Sequence, residues 1–282
     1  MTNNIKICGE SMSDKTLYIT DLDGTLLRND ATVSPYTAEI IGRVIAGGSM
    51  FTYATARAYT SASAITREII PNIPAVVYNG TFIVNASTGE RISVRSMTHE
   101  ESAYVLSVFE KYGVSPIVYS IIDGVEKYSF SYEELPTASK IFLDKRKGDA
   151  RENPTTPDRL GDGEVFHFSS LADEVRLAAI RDVLKADFPV ELFFDRYFHE
   201  MFLEIHPKGA TKAEGVLGLK KLLGCDRIVC FGDGTNDVPM FRAADEAYAV
   251  DNAVPELKEL AASVIGGNEH DGVAKWFLDN IL

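Results

Sequence analysis

Residues 16–27, TLYITDLDGTLL, run a short apolar strand (Leu17, Tyr18, Ile19) straight into two carboxylates, Asp21 and Asp23, one residue apart. Gly24 and Thr25 then turn the chain before Leu26 and Leu27. In an open parallel sheet, ligands gather just beyond the carboxyl ends of the strands, where loops present side chains into a crevice. Two acids at successive turn positions resist joint ionisation unless a positive partner binds them. A hard cation such as Mg2+, which takes oxygen ligands and keeps some waters for a phosphate, supplies that charge. Alone, the same stretch also reads as a strand closed by an ordinary Asp-Gly turn.

Beyond Leu27, strand and helix alternate. Ser34-Pro35 supplies an N-cap and a proline at the first helical position. Ile40, Ile41, Val44 and Ile45 make the apolar stripe of that helix, and Gly47-Gly48 ends it. A strand at Met50–Ala54, a helix from about Ala58 to Ile70 stopped by Pro71, and a strand at Ala75–Tyr78 come next. The pattern resumes after Pro207-Lys208-Gly209: a helix opened by Thr211, a strand at Arg227–Phe231, then Ala247–Val250, Val264-Ile265 and a last helix from Gly272. Such alternation predicts a parallel βαβ sheet.

Between Gly80 and Pro207 the pattern differs. Two strand-like pieces flank Ser87-Thr88-Gly89, a capping box at Thr98 and Glu101 opens a helix, and Asp123-Gly124 marks a hairpin between 115–121 and 125–129. A polar stretch from Lys145 to Gly163 reads as loop, with at most one short helix. A strand at Val165–Ser169, a helix at about Ala172–Phe188 and strands at 190–195 and 200–206 complete the segment. The chain is therefore expected to be α/β: a Rossmann-like core from residues 1–81 and 207–282, with an α+β unit of residues 82–206 inserted.

Composition limits the partners. The formal charge, 28 − 41 = −13, argues against nucleic acid or an anionic membrane surface. It also obliges any phosphate site to find local positive charge in a metal, a lysine or helix amides. Three cysteines (Cys8, Cys225, Cys230) and no zinc-type spacing fit a reduced protein, and no stretch is long and apolar enough for a secretory signal or a membrane span. The expectation is a cytoplasmic protein, monomer or homodimer.

Four clusters fall at predicted strand ends or helix starts of the core: Asp21 with Asp23, Thr55, Lys212, and Asp233 with Asn236 and Asp237. Lys212 sits in the first turn of its helix, the wrong end for a cation, so an anion nearby has to justify it. Two further carboxylates in GDGTND double the acidic load, and the combination makes poor sense without a cation.

With DLDGTLL at 21–27, ATAR at 54–57, Lys212 in GATKAEG and GDGTNDVPM at 232–240, the chain resembles the haloacid dehalogenase (HAD) superfamily. YNG at 78–80 and DGVAKWF at 271–277 fit the same pattern, and the likeness is to the Cof-type branch with a large α/β cap between the second and third motifs. One departure is Ala56, where the family has glycine. The resemblance implies a Mg2+-dependent phosphatase acting on a small phosphorylated substrate, a sugar phosphate or similar phosphomonoester being the first expectation. Asp21 would be the nucleophile that forms an aspartyl-phosphate and Asp23 the general acid/base. Mg2+ would be held by the Asp21 carboxylate, the Asp23 carbonyl and Asp233, with Asn236 and Asp237 supporting. Thr55 and Lys212 would hold the phosphoryl oxygens, and the cap would close over the core. His167, Arg196, Tyr197 and His199 are candidate cap contacts with an ordinary packing role as the alternative. A phosphomutase, or a non-enzymatic phosphoacceptor module, would use many of the same residues; only the enzymes need Asp23.

Overall fold

The computed structural model describes residues 15–195 and 198–282. The expectations for Cys8, for the N-terminal stretch 1–14 and for Arg196 and Tyr197 lie outside the described residues.

In chain order the first elements are β1 (Thr16–Thr20), α1 (Pro35–Ala46), β2 (Met50–Tyr53), α2 (Tyr59–Ile65), β3 (Ala75–Val77), β4 (Phe82–Val84) and β5 (Arg91–Val94). There follow α3 (His99–Lys111), β6 (Ile117–Ile122), β7 (Val125–Phe130), α4 (Thr137–Asp144), β8 (Glu152–Pro154), β9 (Glu164–Ala172), α5 (Glu174–Leu184), β10 (Val190–Asp195) and β11 (Glu200–Ile205). The last are α6 (Lys212–Leu223), β12 (Arg227–Gly232), α7 (Val238–Ala243), β13 (Glu246–Val250), α8 (Pro255–Leu260), β14 (Ser263–Ile265) and α9 (Gly272–Asn280).

The core sheet is parallel throughout, in the order β14-β13-β12-β1-β2. Its strand β1 pairs with β2 on one side and, across more than half the chain, with β12 on the other. Ser34 caps α1 by accepting from the Thr37 N–H, and Thr211 caps α6 by accepting from the Glu214 N–H. On one face of the sheet α9 brings Phe277 edge-on to Tyr18 and Phe51 and against Phe231. Burying a ring of that size stabilises by about 2–3 kcal/mol, which ties the C-terminal helix to β1, β2 and β12 together.

The inserted segment builds a six-stranded sheet, β10-β11-β9-β6-β7-β8, antiparallel except for the β7–β8 pair. Its two faces serve different ends. Leu203 and Ile205 of β11 and Phe168 of β9 belong to a second apolar cluster beneath α3 and α5, while Phe202, Glu204 and His167 point the other way, toward a cavity against the core. Asp123 and Gly124, both at positive φ, make the tight turn that Asp-Gly predicts.

Several elements differ from the sequence expectation. Strand β4 pairs with β3 and β5 with β4 in a small antiparallel sheet of their own, and the six-stranded sheet begins only at β6. The second helix stops at Ile65 rather than Ile70: the Thr66 hydroxyl bonds the Ala62 carbonyl, and Pro71 disfavours helix at the residue before it. Helix α4 and strand β8 are additions to the expected order. Strand β8 is only three residues long and carries a proline that an edge position tolerates.

Candidate active site

Sheet register places the expected site residues side by side. Thr20 is paired with Tyr53 and with Phe231, and the next residue, Asp21, donates its N–H to the Phe231 carbonyl at 2.9 Å. Just past the ends of the neighbouring strands lie Asp233, after β12, and Thr55, after β2. All three project from the carboxyl ends of adjacent parallel strands, where a crevice is expected.

Carboxylate oxygens of Asp21, Asp233 and Asp237 lie within 4.8 Å of one another, close enough to share one metal ion. Lys212, fully buried at the start of α6, reaches across with Nζ 2.5 Å from Asp21 Oδ1 and 2.7 Å from Asp237 Oδ1. The other oxygen of Asp237 accepts the N–H groups of Asp233 and Gly234, each at 3.0 Å, and so shapes the loop that carries Asp233. Thr25 donates to Asp233 Oδ1 at 3.1 Å.

The electrostatics ask for a cation. Three carboxylates against one ammonium leave a formal charge of −2 in a buried space. Burial pushes the Asp21 carboxyl well up, Lys212 pulls it back, and Asp237 and Asp233 push it up further. Burial and the neighbouring Asp237 likewise push Asp233 up to about 6. Burial opposes charge on Lys212, yet Asp21 and Asp237 outweigh it and keep the ammonium charged. A divalent ion would cancel the −2 and return both acids to their ionised forms; three hard oxygen donors are the set that Mg2+ takes. Gly24 makes room for this arrangement. Its φ is +77°, and a Cβ there would stand 2.3 Å from Asp233 Oδ2.

Asp23 is placed apart from this cluster. Its carboxylate is half exposed and held by the Arg57 guanidinium at 2.6 and 2.5 Å, a two-pronged pair facing the cavity. Arg57 also donates to Ser61 Oγ. Thr55 is buried, and its hydroxyl oxygen accepts the Arg57 N–H at 3.1 Å. Asn236 turns its amide to Asn79, donating to Oδ1 at 3.3 Å, rather than into the carboxylate triad.

The cavity between core and insert has a volume of about 840 Å3. Asp23, Arg57 and Tyr78 line it from the core; Tyr119, His167 and Glu204 line it from the insert. A bulge on β9 sets this wall. Tyr119 pairs with His167 and Ser120 with Val165, so Phe166 is the extra residue. Both Phe166 and His167 then lie against the Tyr78 ring, at 5.2 and 6.0 Å between centroids. His167 Nε2 stands 3.5 Å from Glu204 Oε1. His199, by contrast, belongs to the β10–β11 turn and is not part of the wall.

Arg57, Tyr78, Asn79, Glu191 and Glu204 carry contacts here that sequence reasoning does not assign. The ATAR and YNG motifs contain the first three, so the signal is present without the role. Glu191 and Glu204 have only strand alternation to distinguish them.

A family model for haloacid dehalogenase-like hydrolases matches residues 18–277. The chain belongs to that family. It is similar to the 5-amino-6-(5-phospho-D-ribitylamino)uracil phosphatase YitU of Bacillus subtilis, with 29% identity over 263 residues covering 91% of this chain and 94% of the relative. It is 23% identical over 275 residues to the pyridoxal phosphate phosphatase YbhA of Escherichia coli, covering 93% of this chain and 97% of that one. Among solved structures, a haloacid dehalogenase-like hydrolase from Bacteroides thetaiotaomicron superposes with a TM-score of 0.73 at 24% identity, over 94% of this chain and 98% of that one. The α/β core with a sheet-bearing cap is thus the fold of this family.

Proposed function

We propose that this hydrolase is a Mg2+-dependent phosphatase that cleaves a small phosphorylated metabolite by way of an aspartyl-phosphate on Asp21. The observation that carries the reading is the cluster of Asp21, Asp233 and Asp237, with Lys212 bonded to the first and the last, beside a cavity that Asp23 faces. Asp21 and Asp233 would hold the ion with the Asp23 carbonyl, and Asn236 and Asp237 would support it. Bound there, Mg2+ supplies charge neutralisation between two anions, the nucleophile and the phosphoryl group.

The chain's own residues do the rest. Asp21 attacks phosphorus, forming the O–P bond as the bond to the leaving oxygen breaks. Asp23 gives that oxygen a proton, then takes one from the water that hydrolyses the acyl-phosphate. For this, its carboxyl has to exchange the Arg57 fork for the substrate. Lys212 and Thr55 hold the phosphoryl oxygens. Alanine at position 56 adds one methyl to the cavity wall and removes no functional group.

The cavity is larger than a phosphoryl group needs and mixes aromatic with polar walls, which favours a leaving group the size of a sugar or a small ring. Two of the relatives are named for phosphates of such compounds. The test is phosphate release from a panel of small phosphomonoesters, with and without Mg2+. Turnover that requires Mg2+ and falls at least about 1,000-fold in Asp21→Asn is expected. Inert panels in both conditions, or an active Asp21→Asn protein, would end the reading. A mutase would instead yield an isomerised sugar phosphate without free phosphate.

A further inference from the structure

Tyr78, Asn79 and Gly80 form a run of three positive φ angles, +49°, +52° and +95°, unique among the described residues. Side-chain-bearing residues hold that conformation only where the surroundings over-determine it. Here they do. The N–H groups of Tyr78 and Asn79 donate to the carbonyls of Arg57 and Thr55, fastening the run to the loop after β2. Gly80 abuts the start of α6 so closely that a Cβ would stand 2.0 Å from the Thr211 carbonyl oxygen. The Tyr78 hydroxyl donates 2.6 Å to Glu126 of the insert, which also accepts from Arg151.

Asn79 is the centre of this arrangement. It is 3% exposed, and both ends of its amide are used. Its oxygen accepts from Asn236, on the loop that carries Asp233 and Asp237, and its nitrogen donates 2.8 Å to Glu191 Oε1 on β10. A residue kept only to fill space would be apolar at such a position. An aspartate of the same size would lack the donor, and a serine would not span both partners.

We propose that Asn79 is a positioning residue for phosphoryl transfer: one amide fixes the metal-binding loop and the inserted sheet in a single register. The role rests on the phosphatase reading above, and Asn79 acts through Asn236 and Glu191 without touching substrate.

The test exchanges donor and acceptor. Asn79→Asp keeps the size, tolerates the left-handed backbone and still accepts from Asn236, but at pH 8.5, where Glu191 is ionised, it sets an acceptor against the Glu191 carboxylate. Glu191→Gln alone keeps the acceptor for Asn79, and in N79D/E191Q the glutamine amide becomes the donor. Two readouts are taken: steady-state hydrolysis of p-nitrophenyl phosphate with Mg2+, and backbone hydrogen exchange in peptides covering 190–195 and 233–237. Asn79→Asp is expected to lower kcat about tenfold and to speed exchange in both peptides. The double variant should recover most of both losses. An Asn79→Asp protein within about twofold of wild type with unchanged exchange overturns the proposal, and so does a loss that Glu191→Gln fails to recover. If Asn79→Asp does not fold, Glu191→Leu removes the acceptor from the insert side alone. Faster exchange at 190–195 and a lower kcat then support the role, and their absence overturns it. Should wild-type protein hydrolyse nothing, the exchange data still decide the contact, and it is the phosphatase reading that has failed.

Discussion

The core and the insert place polar groups in their interiors by opposite means. In the core they stand at strand ends: Asp21, Thr55 and Asp233 follow β1, β2 and β12, and a lysine 191 residues from Asp21 compensates them. In the insert they stand along the strands themselves, as with His167 on β9, Glu191 on β10 and Glu204 on β11, while Leu203 and Ile205 of β11 face the second apolar cluster. The core therefore concentrates chemistry in a few fixed contacts. On the function proposed above, recognition would be spread over the insert's wall, each residue contributing a little. Damage should be severe and general in the first region, and mild and substrate-dependent in the second.

Gly24→Ala puts the largest strain on that contrast. A Cβ at φ +77° and 2.3 Å from Asp233 Oδ2 must displace the carboxylate, and a misplacement of about 1 Å costs on the order of 100-fold in kcat/KM. The loss should be alike for every substrate, and a Mg2+-induced rise in Tm should shrink with it. A variant with normal turnover would show that the core tolerates what the geometry forbids.

Glu204→Gln probes the other side. It keeps the shape of the wall and removes one charge beside His167. Steady-state kinetics on several phosphomonoesters should show KM changes of about tenfold or less that reorder the substrates, with kcat nearly kept. A uniform fall in kcat across the panel would place Glu204 with the catalytic groups instead.

The smallest effect concerns Glu191, where the two regions meet. Burial, then the charge of Glu204, push its carboxyl from an ordinary 4.5 up to about 7, with Asp237 adding and Lys212 opposing. Between those values the folded protein holds a proton that the unfolded chain has released. The stabilisation is therefore fully present at low pH and lost as pH rises through about 7. Wild-type Tm should fall between pH 6 and pH 8 by roughly 2 °C more than that of Glu191→Gln. Equal slopes would mean that Glu191 does not titrate at this contact.

Legibility in the sequence follows the same division. Asp21, Lys212 and Asp233 are readable because each sits within a short motif at a strand end or helix start, where local spacing already implies geometry. Lys212 is conspicuous for being at the wrong end of its helix, and the structure supplies the two carboxylates that hold it there. Glu191 and Glu204 are not readable. Their importance depends on strand register and on a bulge at Phe166, neither of which leaves a local mark. The placement of β4 and β5 escapes for a related reason, since a strand's own residues do not say which neighbour it will choose. Arg57 lies in plain view, but its hold on Asp23 is a contact across 34 residues.

The pairing of β1 with β12, Thr16 beside Arg227, has a consequence for how the molecule is made. During synthesis this interior strand is finished long before β12 and keeps one edge bare until β12 emerges. The insert, complete by Ile205, can gather its own sheet during that wait, drawing its two ends together and shortening the loop that β12 has to close.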